Sequence, residues 1–317
     1  MTPHIKFMQH RKLAMLFSLI LIIVSIASLA TRGLNFGLDF TGGTLVELEF
    51  PGEANAQDIR QQLDDAGIKN AVVQYFGKSS EIAIRVPPQA QDDQQDAKLV
   101  LGQAGRDIFN VVQSATPNGE QLVLKRNEFV GPSFGEELRD DGGIALIVAF
   151  GFMMIYIAIR FHYRFGMGAV AALLHDVIIV LGGFSLTQMS LDQSVLAAVL
   201  AVIGYSLNDT IVVADRVREN FYDNLDSEDT AGLIDLSLNQ TLSRTLFTSL
   251  TTMLVLLSLY FFGGESLRLF SVALLAGILV GTYSSIYVAS SLLVSLGVLP
   301  SHFKTPEIID EFEDETP

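Results

Sequence analysis

The sequence predicts an integral membrane protein, an all-α bundle of six membrane-spanning helices with an α+β domain inserted between the first and second spans. Of its 317 residues, 50% are hydrophobic and only 17% are charged, which is too little charge to cover the surface of a soluble chain of this length. The apolar residues also fall in runs of about 20, the length that crosses the hydrocarbon core of a bilayer as a helix.

The predicted spans are four apolar runs without an internal charge and two, the third and fourth, that contain acids. They cover residues 13–31, 142–159, 165–187, 191–214, 244–264 and 269–299. The first span also has the basic flank of a signal peptide, in Lys6, Arg11 and Lys12. Its apolar run is longer than a signal peptide requires, so we expect it to remain as a helix.

Basic residues predict the orientation. They precede the first span (residues 1–12), join the second and third spans at Arg160 and Arg164, and follow the fourth span at Arg216 and Arg218. By the positive-inside rule, residues 1–12, 215–243 and 300–317 are cytoplasmic, and residues 32–141 lie on the outer, periplasmic side. The segment 300–317 is strongly acidic and is predicted to be a solvated tail.

Periodicity predicts a folded outer domain. Residues 44–50 alternate as a half-buried strand, and Asn55 is placed to cap a helix that Gly67 ends. Strands at 72–76 and 82–86 around a turn at 77–80, a helical stretch at 92–114 and a strand at 122–130 complete the set. The order β-α-β-β-α-β is that of a ferredoxin-like domain.

Composition excludes several functions. The net charge of −15 disfavours nucleic acid, whose phosphates need a basic surface. The five histidines are dispersed and there is no cysteine, so no metal or other cofactor is predicted. Gly77, Lys78 and Ser79 resemble the end of a phosphate-binding loop, but the earlier glycine of that motif is replaced by Val72. We therefore predict no bound nucleotide and no enzymatic activity.

The functional candidates are ionisable residues at membrane depth, where a charge is costly and usually functional. Asp209 lies inside the fourth span, seven residues or about 10 Å from Arg216. Ser206, Asn208 and Thr210 are its polar neighbours in sequence. A carboxyl group in a low dielectric favours its neutral form, which suits it to bind and release protons.

Two further residues are candidates for the same proton pathway. Arg244 begins the fifth span on the same side as Asp209, and is either a counter-charge for that acid or an arginine that extends to the interface. Asp176, in the third span, is either a proton carrier or a structural carboxyl group bonded between helices.

The sixth span carries a small residue at every fourth position, in the series Ala273, Gly277, Gly281, Ser285 and Ala289. Such spacing lets helices approach closely. Gly277 and Gly281 are therefore predicted to be a packing face, either within the chain or against a partner.

Four motifs resemble the SecD/SecF family of protein-export proteins. Residues 36–44, FGLDFTGGT, resemble the family's signature after its first span. The fourth-span motif is matched by GYSLNDT at 204–210 and DRVRE at 215–219. The third and fifth spans are matched by HDV at 175–177 and QTLSRT at 240–245. The short outer domain is similar to the smaller of the family's two branches.

The resemblance implies an inner-membrane subunit forming one half of an RND-like bundle, paired with SecD. It also implies association with the SecYEG channel and YajC, and use of the proton motive force to draw unfolded preproteins to the outer side. Asp209 and Arg244 are its implied proton-pathway residues.

Two alternatives compete with this prediction. An RND-type exporter of small molecules or lipids would share the spans, although such transporters usually carry two large outer domains. A membrane scaffold would need no ion coupling, and neutralising Asp209 separates it from a proton-driven machine.

Overall fold

The computed structural model describes residues 5–76, 78–87, 97–116, 121–161 and 163–303. The chain divides into two compact units, which are described separately. The helical unit comprises Met1–Leu34, Ile147–Met189 and Ser194–Pro317. The α+β unit comprises Asn35–Leu146 together with Ser190–Gln193. The acidic residues predicted as a solvated tail lie, from 304 onward, outside the described residues.

The elements in chain order are a 3₁₀ turn Phe7–His10, α1 Arg11–Arg32, α2 Leu38–Thr41, β1 Gly43–Glu49, α3 Ala56–Asp65, β2 Val72–Phe76, β3 Lys78–Val86, α4 Ala97–Ala115, β4 Val123–Val130, α5 Pro132–Arg160, α6 Tyr163–Thr187, α7 Gln193–Asp223, α8 Thr230–Phe262, α9 Glu265–Ser284, a π-helical turn Ser285–Ala289, α10 Ser290–Ser295 and a 3₁₀ turn Pro300–Phe303.

Six helical segments within the described residues are long and apolar enough to cross a membrane, which confirms the predicted six-span bundle. They are Phe7–Arg32, Phe134–Arg160, Tyr163–Thr187, Gln193–Asp223, Thr230–Phe262 and Leu267–Ser295. Their burial differs. About half of the apolar stretch is buried in the third and fourth spans, whereas the first, second and fifth are mostly exposed. The sixth span is 44% buried, so the third, fourth and sixth spans form the interior of this unit.

Several helices extend beyond the apolar runs. Helix α5 begins at Pro132, ten residues before the predicted start of the second span, because proline fits the first turn of a helix, where its missing N–H is not needed. Much of the segment 215–243 is also helical, and Asp229 caps α8 by accepting a hydrogen bond from the Gly232 amide. The sixth span ends at Ser295, short of the predicted residue 299, because Gly297 turns the chain with φ of 62°.

The α+β unit has the predicted ferredoxin-like topology. Its sheet has the order β2-β3-β1-β4, with antiparallel neighbours throughout. Helices α3 and α4 cover one face of the sheet. The hydrophobic core between the helices and the sheet contains Val46, Leu48, Ile82, Ile84, Ile59, Leu63, Ile108 and Val112. Asn55 caps α3 as predicted, accepting a hydrogen bond from the Gln57 amide.

The structure corrects one turn in this unit and leaves part of one helix untested. Residues 78–80 belong to β3 and not to a turn, because the two strands are joined more tightly than the sequence suggests. Lys78 and Ser79 are thus strand residues, which is not the geometry of a phosphate-binding loop. The predicted helix at 92–114 is observed as α4, but residues 92–96 lie outside the described residues.

The segment 36–44 holds residues 190–193 against the α+β unit. The Gly37 amide donates to the Leu191 carbonyl at 2.7 Å, and the Asp39 carboxylate accepts a bond from the Gln193 amide at 3.0 Å. Arg85 from β3 donates to the Phe36 carbonyl. Gly43 must be glycine, since its φ is 115° and a Cβ would lie 2.3 Å from the Val86 carbonyl oxygen.

Candidate functional site

Asp209 lies on the buried side of α7, with 7% of its surface exposed. The two carboxylate oxygens are held by different helices. One accepts a hydrogen bond from the Thr245 hydroxyl of α8 at 2.7 Å, and the other accepts one from the Ser285 hydroxyl at 2.6 Å. Both donors are neutral hydroxyl groups, so no side-chain cation contacts the carboxylate within the described part of the chain.

Asp176 of α6 is fully buried, with 0% exposure. One oxygen lies 2.8 Å from the Nδ1 atom of its neighbour His175. The other oxygen accepts hydrogen bonds from the hydroxyls of Ser206, on α7, and Ser284, at the end of α9, the second at 2.7 Å. A carboxylate that accepts several hydrogen bonds is stabilised in a medium where an unpaired charge is very costly.

The two acids are coupled through shared helices. Ser206, which binds Asp176, and Asp209 are three residues apart on α7, which is about 4.5 Å along the helix. Ser284 and Ser285 are adjacent and bind one acid each. Ser285 also starts the π-helical turn, a rare widening of a helix that is frequent at functional sites. We call this cluster of Asp176, Asp209 and their hydrogen-bonding partners the two-carboxylate site.

The other predicted site residues are placed differently. Arg244 is exposed, and none of the described ion pairs joins it to Asp209, although it directly precedes Thr245 in sequence. Asn208 is also exposed, whereas Thr210 is buried. Ser206 supports Asp176 and not Asp209, the acid to which sequence proximity had assigned it.

Sequence reasoning did not assign a role at the site to Thr245, Ser284 or His175, and it took Ser285 for a packing residue. A hydroxyl in an apolar span is common and usually bonds its own helix backbone, so each is a weak signal alone. The doublet of Ser284 and Ser285 in the middle of the sixth span was the available signal, because two adjacent hydroxyls face different neighbours on a helix.

The packing face predicted on the sixth span lies within the chain. A Cβ atom added at Gly277 would come within 2.1 Å of the Val202 side chain on α7. One added at Gly281 would lie 3.2 Å from Ser206 Cβ and 3.5 Å from an Asp176 oxygen. The two glycines therefore bring the sixth span close enough to α7 for Ser284 and Ser285 to reach the two acids.

Comparison with known proteins agrees with this architecture. Residues 110–298 match the family model for the protein export membrane protein SecD/SecF, C-terminal, and residues 27–50 match the SecD/SecF GG motif. The chain is 46% identical over 307 residues to the protein translocase subunit SecF of Vibrio alginolyticus, covering 97% of this chain and 94% of that one. It is 44% identical over 310 residues to that of Pseudomonas aeruginosa, covering 98% and 97%.

Solved structures show the same relation. The crystal structure of SecDF, a translocon-associated membrane protein from Thermus thermophilus, is similar with a TM-score of 0.80 and 36% identity, over 93% of this chain and 39% of that one. SecDF in its super-membrane-facing form is similar with a TM-score of 0.67, also at 36% identity, over 94% of this chain. This chain thus spans about two fifths of the SecDF polypeptide.

The six-span fold and these matches together define a protein-export membrane protein. The chain belongs to the SecD/SecF family, and to its SecF branch. It is accordingly a multi-pass inner-membrane protein and an accessory subunit of the Sec protein-export machinery. The alternative of a small-molecule or lipid exporter is not favoured, because the relatives match over nearly their whole length.

Proposed function

We propose that this subunit couples the proton motive force to preprotein translocation, with Asp209 as the group that binds and releases the proton. The observation that supports the proposal is a buried carboxylate held by hydroxyl groups and contacted by no side-chain cation of the described residues. An ion pair would fix the charge of Asp209. Neutral partners leave its charge free to change.

The hydroxyl partners fit both states of the acid. When Asp209 is ionised, Thr245 and Ser285 donate to its two oxygens. When it is protonated, the Ser285 hydroxyl can accept the new O–H and still donate its own hydrogen to the Thr282 carbonyl at 3.0 Å. Protonation therefore leaves the Ser285 hydroxyl paired both with Asp209 and with its own helix. Because Ser285 pairs with Asp209 in both states, proton binding and release need no rearrangement at this contact.

In this proposal, Arg244 is the counter-charge of Asp209. It is exposed in this chain and one residue from Thr245, and its charge acts on Asp209 without an ion-pair contact. A small rotation of α8 or a change at a partner surface would strengthen or weaken that interaction. A positive charge near Asp209 favours release of the proton. Asp176, held by Ser206 of α7 and Ser284 of α9, is the second acid of the pathway.

The partner that covers Arg244 is proposed to be SecD. Asn208, Arg244, Thr248 and Thr251 are exposed on α7 and α8 at the membrane-spanning part of the chain. Polar groups facing lipid cost about 2.5–3.5 kcal/mol when charged, so a second bundle of matching polarity is expected against them. Through SecD the subunit would act with the SecYEG channel and YajC on unfolded preprotein.

We propose that both termini are cytoplasmic and that the α+β domain is periplasmic, on the basis of the basic residues beside the spans. A topology reporter fused after Gly131 should be active only on the periplasmic side, and one fused after Ser227 only in the cytoplasm. The opposite pattern would reverse the orientation of the whole subunit.

The functional test is preprotein release from vesicles containing equal amounts of each variant, with and without a proton gradient. Asp209→Asn preserves the shape of the side chain but cannot ionise, and should abolish the gradient-stimulated part of release. Asp215→Asn is the matched control, because Asp215 is an acid of the same helix that pairs with Arg160 at 2.8 Å. It should retain gradient stimulation. Full stimulation in Asp209→Asn would leave the subunit as a scaffold without ion coupling.

Arg244→Ala tests the counter-charge in the same assay. It should reduce gradient-stimulated release, because Asp209 then keeps its proton longer. If the two residues act as one unit, the double variant should be no worse than Asp209→Asn alone. Additive losses would show that Arg244 acts elsewhere.

A further inference from the structure

The side chain of His175 has one nitrogen without a hydrogen-bond partner among the described residues. The Nε2 atom of His175 is buried and makes no hydrogen bond within the described part of the chain. The whole side chain is only 2% exposed, and its ring stacks on Tyr283 with centroids 6.2 Å apart. Buried polar atoms in proteins are almost always paired, so an unpaired one at a functional site needs an explanation.

The hydrogen bonds of Asp176 determine whether the Nε2 atom of His175 carries a hydrogen. With Asp176 ionised, its oxygens accept from Ser206 and Ser284, and the 2.8 Å contact to His175 requires that Nδ1 carry the hydrogen. In a neutral imidazole the other nitrogen then has no hydrogen and presents a free lone pair. His175 Nε2 is thus a proton acceptor on a ring whose other nitrogen is bonded to a buried carboxylate.

Protonation changes the net charge of the pair formed by His175 and Asp176. With Nε2 unprotonated, His175 and Asp176 together carry one negative charge in the interior of the bundle. One proton on Nε2 makes an imidazolium–carboxylate pair with no net charge. A single buried charge is far more costly than a hydrogen-bonded pair of opposite charges.

Few other titratable groups face the pair. From the sixth span, Tyr283 stacks on the ring while its hydroxyl donates to the Ala14 carbonyl of α1. From α7 comes Asp209, linked through the neighbouring Ser284 and Ser285. Between residues 13 and 31, α1 contains no ionisable side chain. Among the described residues, Asp209 is therefore the acid that is linked to the pair through adjacent hydrogen-bonding residues.

We infer that His175 and Asp176 form a second proton-binding site, in which His175 Nε2 takes up the proton while Asp176 remains ionised and holds Nδ1. The inference rests on the proposed proton coupling and extends it to a new residue. In the uptake step a hydronium ion gives its proton to Nε2, an N–H bond forms, and water is released. The added positive charge favours ionised Asp209, so the two sites are expected to be occupied in alternation.

The direct test is ¹⁵N NMR of histidine-labelled full-length protein in lipid nanodiscs, titrated from about pH 5 to about pH 9, the range where imidazoles change charge. The signal of His175 is identified by replacing the other four histidines, His4, His10, His162 and His302. We expect Nδ1 to stay protonated throughout and Nε2 to gain its proton on acidification. In Asp209→Asn the midpoint of this change should shift.

The export assay is the second readout. His175→Asn keeps an N–H group to donate to Asp176 but has no titratable nitrogen, and should lose most of the gradient-stimulated release. Tyr283→Phe, which preserves the stacked ring, is the matched control and should retain it.

Each outcome is decisive. An Nε2 atom that stays in one state across the titration overturns the inference, as does full gradient stimulation in His175→Asn. If Asp209→Asn still abolishes stimulation in that case, the proposed function stands and only the second site falls. If neither variant affects stimulation, the proposed function itself fails.

Discussion

Charged side chains have different kinds of partners on the sheet of the α+β unit and in the interior of the helical unit. On the sheet, Lys125 lies between two acids, 3.1 Å from Glu49 and 2.7 Å from Glu81, and the ammonium group remains partly exposed. In the bundle, Asp176 and Asp209 are buried and are bonded by hydroxyl groups and one imidazole.

The difference separates charges that are fixed from charges that can change. A surface ion pair contributes little to stability and needs no particular protonation state to keep the domain folded. A buried carboxylate with hydroxyl partners depends on every one of its hydrogen bonds while it is ionised, and can also become neutral in place. In the proposed function, the acids that bind and release protons therefore belong to the helical unit.

The largest effect on stability is expected from the hydroxyls of the two-carboxylate site. Ser284→Ala and Ser285→Ala each remove a donor from a buried acid, and should lower the free energy of unfolding by about 1.5–3 kcal/mol each, the usual range for a hydrogen bond to a charged group. The measurement is denaturant unfolding of the full-length protein in detergent.

Ser291→Ala is the control for this pair. Ser291 is buried in the same span, but its hydroxyl has no hydrogen-bond partner within the described residues, so its removal should change stability little. Equal losses in all three variants would show that the hydroxyls matter for packing only. The contrast between the two regions would then have no basis in the hydrogen bonds of the acids.

The architecture could be predicted from the sequence because each helix or strand is determined by the residues within it. Six charge-free or nearly charge-free runs of sufficient length can be accommodated only as spans, and alternation in β1 with a cap at Asn55 determines the start of the α+β domain. The helix ends were harder. Arg216 and Arg218 mark where α7 leaves the lipid, but no residue there shows that the helix continues to Asp223.

The site was only partly predictable, for a different reason. Asp209 and Asp176 stand out because a charge among apolar residues is rare. Their partners come from other helices, and a serine or threonine in a span does not show which neighbour it faces. Helix packing placed Ser206 on Asp176, and Gly281 allowed the sixth span to approach. The exposure of Arg244 likewise depends on how α8 is rotated, which its own sequence does not determine.

The smallest effect is expected from the surface pair on the sheet. The hydrogen bond from Lys125 holds the pKa of Glu81 below its usual value, and the same contact raises the pKa of Lys125. The pair therefore stabilises the folded sheet at neutral pH. That contribution is lost as the pH falls through the lowered pKa of Glu81, and also as it rises through the raised pKa of Lys125.

Lys125→Gln should accordingly weaken the sheet slightly, by less than either serine variant weakens the bundle, because the ammonium group is exposed and screened by solvent. Hydrogen exchange of the β1 and β4 amides in the full-length protein measures this, and the difference from the unsubstituted chain should vanish in acid. Lys69→Gln, at an exposed position outside the described ion pairs, is the control and should show no such pH dependence. Two outcomes would contradict this prediction: a loss of stability in Lys125→Gln as large as that in Ser285→Ala, or a loss that persists in acid. Either would mean that the sheet also depends on a particular charge state. The contrast between the two regions would then fail.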